Sequence, residues 1–380
     1  MTQALARARI LTVDDDAGVL RAVSRVLSRD HEVVCFASAA EALQAARRVV
    51  PDLAILDIYM PETSGFDLMR QLRAEQPDVD VIIMTGDVAE PDANLVRAID
   101  EGAFYFIQKP FDRRVLQTLV NRCLELRQLR RERQRRMRCL EQELEEARQF
   151  QLSFLPPAAN SLNGIDVHAR YIPCNHLAGD LYDYAVTAAN EVALLIADVV
   201  GHGASAAMMT GIVKSAFHAS GADRFEPLSV IRRIADSLGP FEEGRFVTLI
   251  CVRIDCRRQT LVFANAGHPP AILRRRSGEV LLLEPTGVLI CPALAGLSRS
   301  QSTLDWSPGD CLLLFTDGVN EARRDGQLFG RQRLLSIVRD SALAGNALLD
   351  RILTEVAEFT QSQSYEDDIT LLTADFAQGG

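Results

Sequence analysis

Residues 9–16 read Arg-Ile-Leu-Thr-Val-Asp-Asp-Asp, and this short stretch decides the fold of the first third of the chain. Its apolar, β-branched part is typical of a buried strand, and the helical spacing of apolar residues over 17–29 predicts a helix directly after it. The same alternation recurs as far as a strand at 104–107. Strands that alternate with helices form βαβ units, so the sequence predicts an α/β domain with a doubly wound, five-stranded parallel sheet.

Polar residues follow the predicted strands where each strand ends. They are Asp14, Asp15, Asp57, Thr85 and Lys109. Because the carboxyl ends of parallel strands meet at one edge of the sheet, we expect these side chains to converge there. Three crowded carboxylates favour a hard cation such as Mg²⁺, and a carboxylate can also accept a phosphoryl group. Taken alone, a strand-end Asp is also typical of a helix N-cap, and a lone Lys of a surface charge.

This pattern resembles the receiver domain of two-component response regulators. The segments that carry the resemblance are Val13-Asp14-Asp15, Leu56-Asp57, Met60-Pro61, Gly65, Met84-Thr85-Gly86, Gly102-Ala103 and Lys109-Pro110-Phe111. The resemblance implies a phosphorelay in which a sensor histidine kinase phosphorylates Asp57, and a cis bond between Lys109 and Pro110. It also implies that Mg²⁺ is bound by Asp14, Asp15, Asp57 and the Tyr59 carbonyl. Thr85 and Lys109 would contact the phosphoryl group, and Phe106 would be the switch aromatic.

A basic, helical connector follows. Residues 113–150 contain 11 Arg and 6 Glu, and seven of these Arg lie within 127–138. Apolar residues recur every seven positions, with companions four residues later: Leu119, Leu126, Leu140, Ala147 and Phe154, then Cys123, Met137 and Leu144. The pattern predicts a parallel coiled-coil homodimer, broken at Arg130 and Arg133, although one helix packing on its own domain is the alternative. The Arg cluster is a solvated helix face or, alternatively, an anion or nucleic-acid contact.

We therefore predict three parts: a receiver at 1–118, a helical coiled-coil linker at 119–155, and a third domain at 156–380. The third part has short β-rich runs with intervening helices, which indicates an α+β domain with mostly antiparallel sheets. Four acidic motifs end its strands beside Gly or Thr, namely Gly179-Asp180-Leu-Tyr-Asp183, Asp198-Val-Val-Gly-His-Gly203, Thr316-Asp317-Gly318 and Glu366-Asp367-Asp368-Ile369-Thr370. Any one of them is also a turn signature.

Four such motifs in one domain suggest carboxylates gathered around hard metal ions. Two divalent ions bridged by a carboxylate hold a water for in-line attack on phosphorus. His202, beside the second motif, is either a general acid for the leaving alkoxide or a loop residue without a chemical role. His268, in Asn265-Ala-Gly-His-Pro-Pro270, is expected to shape a turn. The chain has no GxSxG motif, so a covalent serine nucleophile is not indicated.

In their order, these motifs resemble the metal-dependent protein phosphatase (PPM) family, and within it the bacterial branch that regulates sigma factors. The resemblance implies a β-sandwich flanked by helices, two Mn²⁺ or Mg²⁺ ions, and hydrolysis of phosphoserine or phosphothreonine. The implied metal ligands are Asp180, Asp198, the Val199 carbonyl, Asp317, and Asp367 or Asp368, with Asp183 as an outer candidate. Two positions depart from the family pattern: Ala178 stands where Gly is usual, and Leu181 where an aromatic is usual.

Composition limits the class of protein. The chain has 380 residues, a net charge of −10 and 48% hydrophobic residues, which suits globular domains and argues against general nucleic-acid binding. No apolar run reaches the ~20 residues of a membrane helix, the N-terminus does not resemble a signal peptide, and the eight Cys lack disulfide or metal spacing. We therefore expect a cytoplasmic protein without membrane contact.

Together these features predict a response regulator whose phosphorylation controls a protein serine/threonine phosphatase. The resemblance implies a phosphoprotein substrate, namely an anti-sigma-factor antagonist of the STAS type. The alternative is a non-catalytic, phosphorylation-controlled adaptor that binds a sigma-factor regulator. A DNA-binding regulator is a third possibility, although we find no helix-turn-helix and the last segment is acidic.

Overall fold

The computed structural model describes residues 7–86, 91–187, 191–201, 203–219, 225–239, 245–294, 296–340, 342–362 and 365–376, with the side chains of 91–95 left out. The chain divides into two compact units, Met1–Leu140 and Glu141–Gly380. None of the helices in these ranges has the length and apolar composition that a bilayer crossing requires.

The first unit is an alternating α/β structure. In chain order its elements are β1 (Arg9–Val13), α1 (Ala17–Leu27), β2 (Glu32–Phe36), α2 (Ala39–Arg48), β3 (Leu53–Asp57), α3 (Gly65–Glu75), β4 (Asp80–Thr85), α4 (Pro91–Asp100), β5 (Tyr105–Gln108) and α5 (Arg113–Leu152). The strands form one parallel sheet in the order β2-β1-β3-β4-β5. This confirms the predicted doubly wound, five-stranded sheet.

Both faces of this sheet are buried, as the continuous apolar strands require. Alternate residues point to opposite faces, so that Leu56 packs on the side of α2 and α3 while Ile55 packs on the side of α1 and α5. On the second side, Leu116 and Cys123 of α5 are completely buried. The first part of the heptad pattern, which includes Cys123, therefore packs inside this unit.

Several arginines of α5 also bind this unit. Arg127, only 5% exposed, lies 3.6 Å from Asp52 and 3.5 Å from Asp80. Arg130 and Arg131 reach Asp80 and Asp52 at 3.1 and 3.0 Å. Part of the basic cluster is thus neither a fully solvated face nor an external anion site, because its charges neutralise carboxylates of the sheet ends.

The second unit contains two antiparallel sheets with helices outside them. Its strands are β6 (Ala159–Leu162), β7 (Ile165–Ile172), β8 (Asp180–Val186), β9 (Val192–Val199), β10 (Val247–Asp255), β11 (Thr260–Ala266), β12 (Ala271–Arg274), β13 (Val280–Leu283), β14 (Ser302–Asp305), β15 (Cys311–Phe315), β16 (Arg323–Arg324), β17 (Gln327–Leu328) and β18 (Ile369–Phe376). Its helices are α6 (Ala204–Phe217), α7 (Pro227–Leu238), α8 (Asp317–Asn320), α9 (Arg331–Asp340) and α10 (Gly345–Thr360), with a short 3₁₀ turn at Pro292–Leu294.

The strand orders are β14-β11-β10-β9-β8 and β13-β12-β15-β18-β7-β6, with β16 and β17 as a separate small hairpin. The inner faces of the two large sheets share one apolar core that includes Trp306, which is completely buried. The outer face of the first sheet packs on α6 and α7, and that of the second on α9 and α10. This arrangement confirms the predicted β-sandwich flanked by helices.

Candidate metal and phosphoryl sites

The edge of the first unit's sheet brings the predicted polar residues together. Lys109 Nζ lies 2.5 Å from Asp14 Oδ2 and 2.8 Å from Asp57 Oδ1. One ligand oxygen from each of Asp14, Asp15 and Asp57 lies within 4.8 Å of the other two. Asp14 and Asp57 are buried and Asp15 is exposed, so a cation would reach the cluster from the Asp15 side.

The charge of this site is partly balanced by Lys109. Burial raises the pKa of Asp57, and the neighbouring Lys109 works in the opposite direction. Burial would lower the pKa of Lys109, but its contacts with Asp14 and Asp57 outweigh burial and raise it. The lysine therefore stays charged and serves as the counterion of the two buried carboxylates.

The other predicted receiver residues lie on or just after strands β3, β4 and β5. Thr85 is buried at the end of β4, and its carbonyl accepts from the Lys109 amide at 2.6 Å. Tyr59 is 52% exposed just after β3, and Phe106 is half-buried on β5. The Lys109–Pro110 peptide bond is cis. Asp16 instead caps α1 by accepting from the Gly18 amide.

A second acidic cluster lies at one end of the sandwich in the second unit. Asp180 opens β8 and is the direct cross-strand partner of Asp198 on β9, which places both side chains on one face of the sheet. Asp317 opens α8 directly after β15, and Asp367 and Asp368 directly precede β18. Because β15 and β18 pair antiparallel, their motifs meet at the same end of the second sheet.

Hydrogen bonds from Thr316 and Thr370 to Asp180 join the motifs of the two sheets, and the carboxylates are electrostatically coupled. Burial raises the pKa of Asp198 to about 7, with further increases from Asp317, Asp367 and Asp368. Burial also raises the pKa of Asp317 to about 6, with Asp367 as the next cause. For completely buried Asp180, burial and then Asp198 hold the pKa well above its usual range. Like charges gathered in this way require a cation or protons.

Two hydroxyl groups orient Asp180. Thr316 and Thr370 both donate to its Oδ2, at 2.7 and 2.6 Å. The Thr370 amide in turn donates to the Thr316 hydroxyl at 2.9 Å, which closes a buried network. Both hydrogen bonds lower the pKa of Asp180 against the effect of burial. Sequence reasoning missed these two threonines, although each lies within two residues of a motif aspartate.

The structure separates the roles of Asp367 and Asp368, which the sequence left open. Asp368 is buried, and its two oxygens accept from the backbone amides of Cys174 and Gly179 at 2.8 and 2.7 Å. Asp367 is exposed. Cys174 Sγ and one carboxylate oxygen of each aspartate lie within 4.8 Å of one another. Asp368 therefore holds the backbone beside Asp180, while the exposed Asp367 does not share this role.

Gly179 allows the backbone of the first two motifs to approach closely. A Cβ at this position would lie 2.5 Å from the Val199 carbonyl oxygen and 3.0 Å from that of Gly201. The Val199 carbonyl is the predicted backbone ligand. Glycine at 179 therefore leaves room for the carbonyl beside Asp180.

Two described residues, Asp183 and His268, have hydrogen-bonding partners outside the carboxylate cluster. Asp183 is buried and binds Lys214 Nζ at 2.6 Å and His218 Nε2 at 2.8 Å, which links β8 to α6. His268 bonds reciprocally with Asn265, and burial lowers its pKa to about 3, so it is a neutral turn residue. His202, predicted as a general acid or a loop residue, lies outside the described residues.

The donor set fits divalent ions. It consists of carboxylate and carbonyl oxygens, which suit Mg²⁺ and Mn²⁺. The residues that would hold two such ions are Asp180, Asp198, the Val199 carbonyl, Asp317 and Asp367. The pKa values of Asp180, Asp198 and Asp317 are raised, as expected of a site whose negative charge is neutralised by bound cations.

Comparison with known proteins agrees with this geometry. The sequence profile described as "Stage II sporulation protein E (SpoIIE)" matches residues 188–377, and that described as "Response regulator receiver domain" matches residues 10–121. The SiaA-PP2C domain of Pseudomonas aeruginosa has a similar fold, with a TM-score of 0.56 at 23% identity over 63% of this chain and 97% of that one.

Two curated relatives are similar over much of this chain. Phosphoserine phosphatase RsbP of Bacillus subtilis is 32% identical over 239 residues, which is 61% of this chain and 57% of RsbP. Protein IcfG of Synechocystis is 29% identical over 262 residues, or 60% of this chain and 41% of IcfG. The chain thus spans about half the length of these relatives. The chain belongs to the SpoIIE family and carries a response regulator receiver domain ahead of its SpoIIE-type domain.

Proposed function

We propose that this protein is a metal-dependent protein serine/threonine phosphatase controlled by phosphorylation of its receiver domain. The observation that carries the proposal is the convergence of Asp180, Asp198, Asp317 and Asp367 in one electrostatically coupled cluster. The similarity to phosphoserine phosphatase RsbP supports the same chemistry.

The roles of the protein groups follow from their positions. Asp198, coupled to most of the other carboxylates, would bridge two ions, and Asp180, Asp317, Asp367 and the Val199 carbonyl would complete their coordination. When bound, a pair of divalent ions lowers the pKa of water and polarises a phosphoryl group. Thr316 and Thr370 keep Asp180 oriented. The protein itself supplies no covalent intermediate in this scheme.

The test of catalysis is hydrolysis of p-nitrophenyl phosphate with Mn²⁺. Asp198→Asn and Asp317→Asn should each lower kcat/KM about a thousandfold, because metal ions stabilise the transition state by several kcal/mol. Asp255→Asn is the matched control, since Asp255 accepts from the amides of Arg257 and Arg258 in a turn. Unchanged turnover in both metal-site variants would refute the two-metal mechanism.

We further propose that a sensor histidine kinase phosphorylates Asp57 and that Thr85, Lys109 and Phe106 transmit the change, with Mg²⁺ held by Asp14, Asp15, Asp57 and the Tyr59 carbonyl. Support comes from the ion pairs of Lys109 at 2.5 and 2.8 Å, which place a cation beside the acceptor carboxylate. Beryllofluoride with Mg²⁺ should change phosphatase turnover in the wild type and not in Asp57→Asn. Equal turnover with and without beryllofluoride in the wild type would remove the switch.

The proposed substrate is a phosphoprotein, specifically a STAS-type anti-sigma-factor antagonist. The proposal rests on similarity to RsbP and on the resemblance of the motifs to the sigma-regulating branch. Pull-down with Asp317→Asn as a substrate trap, followed by phosphosite mapping, should recover such a protein carrying phosphoserine or phosphothreonine. Recovery of a phosphoprotein of a different class would keep the enzyme and discard this substrate.

We also propose a homodimer through α5. Met137, Leu140 and Leu144, spaced by three and four residues, are 51%, 54% and 39% exposed. Such an apolar stripe is typical of a coiled-coil seam. Sedimentation equilibrium should show a dimer that dissociates in Leu140→Gln/Leu144→Gln and persists in the control Glu141→Gln. A monomeric wild type would exclude the dimer.

A further inference from the structure

The last turn of α5 contains a buried side-chain amide whose nitrogen and oxygen both form hydrogen bonds. Gln151 is 7% exposed. Its Nε2 donates to the Ala178 carbonyl at 2.7 Å and to Thr210 Oγ1 at 3.3 Å, and its Oε1 accepts from the Ala178 amide at 3.1 Å. Because Ala178 offers one donor and one acceptor, these contacts fix which way the amide points.

Ala178 directly precedes the glycine and aspartate that begin the metal motif. It is 1% exposed, and within the described residues its amide and carbonyl have Gln151 as their hydrogen-bonding partner. Gly179 follows, with its amide held by Asp368 Oδ2 at 2.7 Å. Asp180 comes next, held by Thr316 and Thr370. Three consecutive residues are thus fixed by side chains from distant parts of the chain.

Apolar packing also anchors the chain directly after this helix. Leu155 packs against both cores of the sandwich. A buried amide is unfavourable unless its hydrogen bonds are satisfied. Here the Gln151 amide forms hydrogen bonds with both the backbone amide and the carbonyl of Ala178, two residues before Asp180.

We infer that Gln151 is a positioning residue of the metal centre: it fixes the backbone at Ala178 and thereby sets the place of Asp180 opposite Asp198. The inference rests on the proposed metal-dependent function and adds a residue that contacts neither the metal ligands nor the substrate. Gly179 joins Ala178 to Asp180, and its own amide is held by Asp368 Oδ2 at 2.7 Å. A shift at Ala178 would therefore move Asp180 relative to its partners.

The test is Mn²⁺ binding by the full-length protein, followed by the electron paramagnetic resonance signal of free Mn²⁺. Gln151→Leu should bind Mn²⁺ about 10- to 100-fold more weakly, as is typical when a residue supporting metal ligands is lost. Gln151→Glu still accepts from the Ala178 amide but no longer donates to the Ala178 carbonyl. Its Mn²⁺ affinity should lie between those of the wild type and Gln151→Leu. Gln149→Leu is the control two residues away, since Gln149 is exposed and its side chain donates to Glu145.

A purely structural role would act differently. It would lower the melting temperature and leave the Mn²⁺ dissociation constant unchanged. The inference also predicts that turnover of p-nitrophenyl phosphate by Gln151→Leu recovers at high Mn²⁺. Wild-type affinity in a folded Gln151→Leu would overturn it. If that variant does not fold, Gln151→Met, which keeps the chain length without a donor, decides by the same criterion.

The failure of this inference differs from failure of the proposed function. If the wild type neither binds Mn²⁺ nor hydrolyses phosphate esters, the proposed function fails. Hydrogen exchange at Ala178–Asp180 then decides the positioning role by itself. Faster exchange there in Gln151→Leu than in Gln149→Leu supports it, and equal exchange rejects it.

Discussion

The two acidic clusters of this molecule solve the same electrostatic problem in different ways. In the receiver, Lys109 lies 2.5 Å from Asp14 and 2.8 Å from Asp57, so a side chain supplies the counterion. In the second unit, the groups that favour ionised Asp180 are the hydroxyls of Thr370 and Thr316, which are neutral. The first cluster is therefore partly neutralised by a side chain, whereas the second depends on added cations or protons.

The largest expected effect comes from removing the internal counterion. Lys109→Met should destabilise the first unit by about 3–5 kcal/mol, because it leaves buried carboxylates without their partner. Calorimetry of the full-length protein should also show that Mg²⁺ restores part of this stability. Arg9→Met, which breaks the exposed pair with Glu32, is the control and should change stability by about 1 kcal/mol or less. Equal effects of the two substitutions would contradict the comparison.

The next effect concerns the neutral donors of the second cluster. Thr370→Val should destabilise the metal-free second unit by about 2 kcal/mol, since hydrogen bonds to charged groups contribute roughly 1.5–3 kcal/mol. Urea unfolding monitored at Trp306 measures this change. Thr303→Val on the exposed strand β14 serves as the control. A Thr370→Val protein as stable as the control would mean that Asp180 does not depend on this hydroxyl.

The pH dependence follows from the raised carboxylate pKa values. Asp198 has a pKa of about 7 in the folded, metal-free protein and a usual value of 3.8, so the folded state binds more protons between these values. Metal-free stability should therefore decrease as pH rises from about 4 to 7, by about 1.4 kcal/mol per pH unit for this group. Asp198→Asn should lose the contribution of this group and keep those of Asp180 and Asp317, whose pKa values are also raised. Saturating Mn²⁺ should abolish the slope in the wild type, and an unchanged slope would contradict cation dependence.

The smallest effect is expected at Asp183, which lies in the first motif but outside the cluster. Because it binds Lys214 and His218, Asp183→Asn should leave Mn²⁺ affinity unchanged within error. Titration with Mn²⁺ checks this. Weaker binding would place Asp183 among the residues that support the metal ligands and enlarge the cluster.

The receiver site was predictable because parallel strands carry consecutive motifs to one edge. Asp14, Asp57 and Lys109 could be placed together from strand ends alone. In the second unit, the order of motifs placed Asp180, Asp198, Asp317 and Asp367 in one predicted site, and Asp180 does pair with Asp198 across neighbouring strands. The supporting groups were not predictable: Asp368 bonds Gly179 across 189 positions and Thr370 bonds Asp180 across 190. No local pattern reveals contacts at such separations.

The connector shows a different limit. A heptad pattern predicts an apolar face and leaves open what covers it. Leu116 and Cys123 are buried against the receiver sheet, and Met137 and Leu140 remain exposed. The signal for Gln151 was weaker still, because one glutamine in a helix is ordinarily solvated.

Gly318 has a practical consequence. A Cβ there would lie 2.0 Å from the Asp368 carbonyl oxygen, a contact that only backbone movement can relieve. One added methyl group would push α8 away from the start of β18 without altering any charge or any ligand. Gly318→Ala should therefore disturb the proposed catalytic site while every acidic side chain is retained. The variant is suited to separating the binding of partner proteins in cells from the proposed phosphatase activity.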